Sequence, residues 1–361
     1  MGNRGMGRLG RGIAAALVLL VWCGGAAAQA EPPGEPAPGE LGLSIGIASI
    51  RGLGGLDLGE AFQGYARTGA TWVRVDLDWS VVQAAGPDSY DWSAMDSHVA
   101  LARGAGLRLL PVVSFSPRWL DGGAAPATPA AVEAYARFLG AAVARYRPLG
   151  IRAWEIWNEP NLSGFWAPAP DPVAYARLLA AAHAAVKAAD PGALVISGGL
   201  SPAPGTGPDG GPIAHFGATA FLEAVYANGA AGTFDALGFH PYSWPRMPDT
   251  LIPWSGWSMM EGPIRDLMVA HGDGAKRIWM TEYGAPTAAG GVDEAGQAEM
   301  LRRAVGLARG EAWAGPLFWY SFRDLGTDPG ESEDWYGLLR HDGTPKPALA
   351  TFRELAAPGG N

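Results

Sequence analysis

The sequence predicts an α/β protein whose single domain is a closed (β/α)₈ TIM barrel. Eight short apolar runs suited to buried strands recur from residue 41 onward. Segments with helical character lie between them, and this alternation indicates parallel strands joined by crossover helices. The length of the even-composition region, roughly 320 residues, suits one such barrel. The runs cover residues 41–49, 71–79, 107–115, 151–158, 193–201, 234–242, 277–284 and 316–322.

Helix signals between the runs support the same architecture. Thr128 and Asp171 each precede a proline, a pattern typical of an N-cap followed by Pro at the first helical position. The segments 294–309 and 346–357 are similar in character. No G-x-G-x-x-G follows a predicted strand, which weakens the alternative of an open, nucleotide-binding sheet. We therefore predict one (β/α)₈ domain over residues 41–361.

The first 30 residues have the three-part layout of a secretory signal peptide. Arginines give a positive start, the apolar run 13–22 follows, and small residues precede Glu31. A retained membrane anchor is the alternative, but the run is short for a bilayer span. We expect no stable membrane insertion after cleavage and a secreted, extracellular or periplasmic protein.

Cys23 is the only cysteine, so cleavage after Ala30 would leave neither a disulfide nor a thiol nucleophile. A lipid anchor on Cys23 is an alternative that the bulky Trp22 before it disfavours. The following residues, 31–40, are dominated by Pro and Gly and are predicted to form a disordered or extended tether.

Charge and missing motifs exclude several function classes. The formal net charge of −9 argues against nucleic-acid binding and fits a neutral substrate. Neither H-x-H nor H-E-x-x-H occurs, so we expect no catalytic metal and no cofactor. The absence of G-x-S-x-G counts against an esterase of the α/β-hydrolase type.

Two glutamates stand at predicted strand ends. Glu159 ends the fourth strand and Glu282 ends the seventh. The active site of such a barrel lies at the carboxyl ends of its strands, so these side chains can face each other across one cleft. Two carboxylates on either side of a bond are what glycoside cleavage requires.

Strand alternation places the remaining side chains of the fourth strand. Glu155 shares the inward parity of Glu159, and we expect it to form a structural ion pair in the barrel interior, with Arg74 as a candidate partner. Asn158 has the opposite parity and would reach the cleft only if the strand bends near Pro160.

The same alternation on the seventh strand gives Glu282 the inward parity of Met280. Trp279 is then predicted to face outward, and Trp72 and Trp154 are likewise assigned to packing outside the barrel.

Other residues near the strand ends suit supporting roles. His240 and Tyr242 share a face at the end of the sixth strand, and Trp319 could form a floor on which a sugar stacks. Asp76 and Asp78 are interpreted as mainly structural. About half of the tryptophans in or near the loops are expected to line sugar subsites: Trp79, Trp119, Trp166, Trp244, Trp254, Trp257 and Trp335.

The motifs "WEIWNEPN", "GFHPYS" and "WMTEYG", in this order, resemble those of the clan A glycoside hydrolases. Within the clan, "WVRVDLDW" and "EIWNEPN" are most similar to family 39, which holds β-xylosidases, α-iduronidases and endo-acting exopolysaccharide hydrolases. Family 5, the cellulase-like group, is next. A chain with no room for the β-rich modules usual in the xylosidases is more similar to the endo-acting group.

The resemblance implies that Glu159 is the acid/base and Glu282 the nucleophile of a retaining enzyme. Retention places the carboxyl groups about 5–5.5 Å apart, against about 6.5–9.5 Å for inversion. It further implies that Asn158 binds the sugar 2-hydroxyl and that Arg74 tunes Glu282.

His240 and Tyr242 share that tuning role by resemblance, and Trp319 would stack on the reacting sugar beside a non-proline cis peptide. The implied partner is an oligo- or polysaccharide, and we expect a monomer. A non-catalytic carbohydrate-binding barrel and a transglycosylase remain alternatives. The sugar, its linkage, and endo or exo action stay open.

Overall fold

Eight parallel strands close into a barrel in the computed structural model, which describes residues 36–46, 57–203, 215–357 and 359. Each strand pairs with its neighbours in chain order, and the last pairs with the first. The predicted (β/α)₈ fold is therefore confirmed. The strands, β1 to β8 in chain order, are Leu41–Ser44, Trp72–Asp78, Arg108–Ser114, Ala153–Asn158, Leu194–Gly199, Ala236–Phe239, Arg277–Tyr283 and Ala314–Tyr320.

Ten α-helices occur within the described ranges, and the four predicted from the sequence are among them. No helix there combines the length and the hydropathy that a membrane span needs. The helices, α1 to α10 in chain order, are Leu58–Arg67, Trp79–Val82, Ser93–Gly104, Pro129–Tyr146, Pro172–Ala189, Ala218–Ala227, Gly256–Met259, Arg265–Ala270, Glu294–Gly310 and Pro347–Ala356.

The two predicted N-caps begin their helices as expected. The Thr128 hydroxyl accepts a hydrogen bond from the backbone N–H of Ala131 at 3.2 Å. The Asp171 carboxylate accepts from Val173 and Ala174, both at 2.9 Å. These bonds satisfy backbone donors that the first helical turn leaves unpaired.

A plug of apolar side chains fills the lower part of the barrel. The indole rings of Trp72 and Trp279 meet edge to face at its centre, with centroids 5.4 Å apart, and Phe318 packs against both. The outward orientation predicted for Trp72 and Trp279 is therefore wrong. Trp72 has the same parity as Arg74, which also points inward.

Trp279 points inward because Thr281 and Glu282 both face the barrel axis, so the parity counted back from Glu282 is inverted by this break in the alternation of β7. The pairing of β7 with β8 shifts register between Ile278 and Met280, and again between Met280 and Tyr283. Ile278 and Met280 consequently pack in the layer between strands and helices. Trp154 lies in that outer layer, as predicted.

Residues 36–40, half of the segment predicted as a tether, instead pack across the amino-terminal ends of the strands. Glu40 accepts a hydrogen bond from the Thr71 hydroxyl at 2.6 Å and forms an ion pair with Arg108. The backbone N–H of Gly39 donates to Gly315 at 3.0 Å. The predicted signal peptide and residues 31–35 lie outside the described residues.

Trp279→Ala should destabilise the fold by about 3–5 kcal/mol, because it opens a cavity between two aromatic rings that cannot close around it. Trp254→Ala is the matched control, since the Trp254 side chain is 50% exposed. Urea unfolding of the two variants measures the difference. Equal losses would contradict the central role of the Trp72–Trp279 contact.

Candidate active site

A cleft of about 400 Å³ opens at the carboxyl ends of the strands, where barrel enzymes place their active sites. Polar groups form its floor, and aromatic rings form much of its walls. Its lining residues are Gly46, Arg74, Asp76, Phe115, Asn158, Glu159, Phe165, Ser201, Pro202, Tyr242, Trp244, Glu282, Tyr320, Glu333 and Tyr336.

Glu159 reaches the cleft because the end of β4 departs from regular strand geometry. Trp157 and Glu159 have positive φ values of 72° and 37°. The Trp157 ring turns outward, where its indole N–H donates to the Phe165 carbonyl at 2.9 Å. The next residue, Asn158, thereby faces inward in spite of its parity. The bend that the sequence required is present, and it begins at Trp157, before the proline.

Glu282 reaches the cleft through the irregularity in β7. Thr281 and Glu282 both face the barrel axis, and the following residue, Tyr283, packs outward against Trp257 and Trp319. Glu282 lies in the cleft as expected, but the argument from a shared parity with Met280 was wrong, because Met280 points outward.

Arg74 organises the floor of the cleft. Its guanidinium donates twice to Glu155, at 2.6 and 3.0 Å, and once to Glu282 at 2.6 Å. It also donates to Asn158 Oδ1 at 2.7 Å and to the Ser44 hydroxyl at 3.2 Å. The ion pair expected between Arg74 and Glu155 is present, and Arg74 holds Glu282 as well.

His240 lies between the two rim glutamates. Its Nδ1 is 2.9 Å from Glu159 Oε1 and 3.7 Å from Glu282 Oε2. Its Nε2 is 3.1 Å from the Thr281 hydroxyl. A Cβ on Gly199 would come within 2.1 Å of that Nε2, so the glycine leaves the space in which the ring sits. Despite burial, the pKa of His240 is raised, because Glu282 and Glu159 favour the imidazolium.

Glu282 is held in its ionised form. Burial raises the pKa of Glu282, but the combined effect of His240, Arg74 and the Tyr242 hydroxyl lowers it by more than burial raises it. The Tyr242 hydroxyl donates to Glu282 Oε2 at 2.9 Å. The net result is a pKa below the ordinary value for a glutamate, although the carboxylate is largely removed from water.

Trp319 does not form the floor of the cleft, which corrects the sequence prediction. Its side chain is fully buried outside the barrel and packs edge to face on Tyr283, with centroids 5.9 Å apart. The inward residues of β8 are Phe318 and Tyr320, and Tyr320 lines the cleft instead. A non-proline cis peptide joins Tyr320 to Ser321.

Several lining residues were missed from the sequence. Tyr336 and Glu333 come from the long segment after β8, and Tyr320 packs on Tyr336 with centroids 5.2 Å apart. Of the loop tryptophans, Trp244 borders the cleft. Three are fully buried instead: Trp79, Trp166 and Trp257.

The two aspartates of β2 have different environments. Asp78 is structural, as expected: its carboxylate accepts from the backbone of Ser80 at 2.9 Å and begins α2. Asp76 lines the cleft. Burial raises the pKa of Asp76, Arg74 opposes the rise, and the charge of Glu282 adds to it, which brings the pKa to about 7.

Solved structures that resemble this chain include several glycoside hydrolases. A family 39 glycoside hydrolase from the gut symbiont Bacteroides cellulosilyticus WH2 has a TM-score of 0.71 and 26% identity, covering 90% of this chain and 64% of that one. A monomeric β-xylosidase from Caulobacter crescentus CB15 has a TM-score of 0.63 and 20% identity, covering 90% and 69%. A family 5 enzyme from Bifidobacterium longum, in complex with Manβ1-4GlcNAc, has a TM-score of 0.65 and 19% identity, covering 88% and 78%.

The fold is that of the clan A glycoside hydrolases, which confirms the class predicted from the motifs. Within that clan, the neighbours include family 39 and family 5 enzymes, the two families that the sequence resembles. No family model and no curated protein gives a match to the chain. The chain spans less than two thirds of the length of the Bacteroides relative.

Asp76→Asn should remove a destabilising pH dependence. Asp76 loses its proton at about pH 4 in the unfolded chain, whereas the folded protein keeps it up to about pH 7. Between these values the unfolded state binds fewer protons, so this carboxyl lowers the stability as the pH rises.

Relative to wild type, the variant should therefore gain on the order of 2 kcal/mol between pH 5 and pH 8, measured by urea unfolding. Asp88→Asn, at an exposed position, serves as the control. An unchanged difference between the two pH values would mean that Asp76 is already ionised at pH 5.

Proposed function

We propose that the protein is a secreted, retaining glycoside hydrolase. One observation carries the proposal: Glu159 and Glu282 line the same cleft, and both lie beside one nitrogen of His240. The two contacts to that nitrogen limit the separation of the nearer carboxylate oxygens to about 6.6 Å, their sum. This limit is compatible with the short separation of carboxyl groups that retention requires, about 5–5.5 Å.

In this mechanism Glu282 attacks the anomeric carbon while Glu159 protonates the leaving oxygen. Glu282 is suited to attack because Arg74 and Tyr242 hold it as a carboxylate. Its bond to the sugar forms a glycosyl-enzyme, and Glu159, now a carboxylate, takes a proton from the water that hydrolyses it.

Asn158 is positioned to bind the substrate in the same step. Arg74 has only N–H donors, so the atom of Asn158 that faces it is the amide oxygen. The amide N–H₂ is therefore available to a sugar hydroxyl, in the role that the resemblance implies. Tyr320 and Tyr336 offer ring faces for the sugar in place of Trp319.

Hydrolysis by a monomer outside the cytoplasm fits the sequence features described above. Transglycosylation would use the same residues, and only product analysis separates it from hydrolysis. A non-catalytic barrel would bind glycans without turnover. A screen against β-linked polysaccharides and aryl glycosides distinguishes these functions and identifies the sugar.

Glu282→Ala and Glu159→Ala should each lower kcat by at least about 10³-fold, since each removes a group that forms or breaks a bond in the reaction. With azide, Glu282→Ala should give a glycosyl azide of inverted configuration. Glu159→Ala should give one of retained configuration, because azide then attacks the glycosyl-enzyme. NMR of the products assigns both, and Glu223→Ala, on the exposed side of α6, is the control. Undiminished hydrolysis by both variants contradicts the assignment.

Tyr242→Phe should move the acid limb of the kcat/KM profile to higher pH. The lost hydroxyl helps to keep the pKa of Glu282 low, so without it the nucleophile is protonated at higher pH. We also expect a loss of about tenfold or more at the optimum. Tyr226→Phe is the matched control, because its hydroxyl donates to Asp273 at 3.0 Å and that tyrosine does not line the cleft. A fixed acid limb in Tyr242→Phe would show that this hydroxyl does not control Glu282.

A further inference from the structure

Asp76 differs from the other carboxylates around the floor of the cleft in having no hydrogen-bond donor from the described residues. Glu155 accepts from Arg74, from the Gly199 backbone and from the Thr281 hydroxyl. Glu282 accepts from two side chains. Asp76 is 8% exposed and lines the cleft, yet within the described ranges no donor reaches it.

A buried carboxyl group without a donor from the described residues would be stabilised by a donor that enters from the cleft, such as a hydroxyl of a bound sugar. Arg74 lies two residues before it on β2, but the Arg74 guanidinium already donates to Glu155, Glu282, Asn158 and Ser44. Arg74 therefore offsets the negative charge of this region, but it does not donate a hydrogen bond to Asp76. Asp76 borders the cleft on one side and a cavity of only about 10 Å³, shared with His98, on another, so a sugar can reach it only from the cleft.

The position of Asp76 in the cleft determines which part of a bound sugar can contact it. It is one inward position nearer the mouth than Arg74, with Gly46 after β1 and Phe115 after β3 lining the cleft on either side. Glu282 is close enough to raise its pKa. A sugar bound for attack by Glu282 would therefore present ring hydroxyls on this side.

We propose that Asp76 is a specificity-determining residue that accepts hydrogen bonds from ring hydroxyls of the sugar that Glu282 attacks. This inference rests on the proposed function and narrows its substrate class. The substrate carries free hydroxyls at the positions that meet Asp76 and no acidic group on that ring.

The charge of the cleft supports the exclusion of acidic sugars. Four carboxyl groups line it, on Asp76, Glu159, Glu282 and Glu333. Arg74 is the only Lys or Arg among the lining residues within the described part of the chain, and its donors are engaged. A uronic acid in this cleft would add a negative charge beside the ionised Glu282, and the described lining residues offer it no Lys or Arg with a free donor.

The experiment compares wild type, Asp76→Asn and the exposed-site control Asp88→Asn. The probes are the 4-nitrophenyl β-D-xyloside, β-D-glucoside, β-D-mannoside and β-D-glucuronide, with ring-deoxygenated forms of the best neutral glycoside. Calorimetric binding of the corresponding free neutral oligosaccharides is measured as well, so that affinity is known apart from turnover.

We expect Asp76→Asn to lose about 10- to 100-fold in kcat/KM on the neutral glycoside and a similar factor in affinity for the neutral oligosaccharide, while Asp88→Asn matches wild type. Removing the sugar hydroxyl that contacts Asp76 should lower the kcat/KM of wild type by a similar factor. It should lower the kcat/KM of Asp76→Asn little further, because the contact is already lost in that variant. Wild type should discriminate against the glucuronide.

Unchanged affinity and turnover in Asp76→Asn, or efficient hydrolysis of the glucuronide by wild type, would overturn the inference and leave the glycosidase proposal intact. If wild type binds the oligosaccharides and cleaves no probe or polysaccharide, the proposed hydrolysis fails. The binding comparison then decides the role of Asp76 by itself.

Discussion

The arrangement of this cleft depends on one buried cation, Arg74. Burial lowers the pKa of Arg74, but Glu155 and Glu282 raise it by more, so the guanidinium stays charged inside the barrel. Its acceptors come from β1, β4 and β7, so a single side chain fixes the relative positions of Ser44, Asn158 and Glu282. Removing one partner of such a pair typically costs about 3–5 kcal/mol, because the other charge stays buried without compensation.

From this centre the two rim glutamates acquire different environments. Glu282 accepts from Arg74 below it and from Tyr242 beside it, which stabilises the carboxylate. Glu159 has His240 as its one side-chain hydrogen-bond partner among the described residues. The two carboxyl groups of one cleft thus differ in the number of side-chain donors that the described residues give them.

Local signals in the sequence were enough to predict the barrel, the helix caps and the two glutamates. Apolar runs and the caps at Thr128 and Asp171 depend on near neighbours in the chain, and the glutamates stand at strand ends. The side-chain directions on β8 could not be read in the same way. That strand is buried on nearly its whole length, so Trp319 and Tyr320 show no contrast between an apolar and a polar face. Trp319 was therefore predicted to line the cleft, where Tyr320 lies.

The departures from regular strand alternation on β4 and β7 lie at the rim for a physical reason. In the lower barrel, alternate side chains fill the interior, and packing enforces the regular pleat. At the rim, side chains from different strands must converge on one point, and a regular pleat aims only every second residue inward. The positive φ values of Trp157, Glu159 and Phe115, each of which costs a non-glycine residue about 1–3 kcal/mol, change these directions. The shifted register of β7 has the same effect for Glu282 without a positive φ. The pleat is thus regular where the barrel is only a scaffold, as from Trp72 to Arg74, and is broken where it becomes a site, so a parity counted back from Glu282 misplaces Trp279.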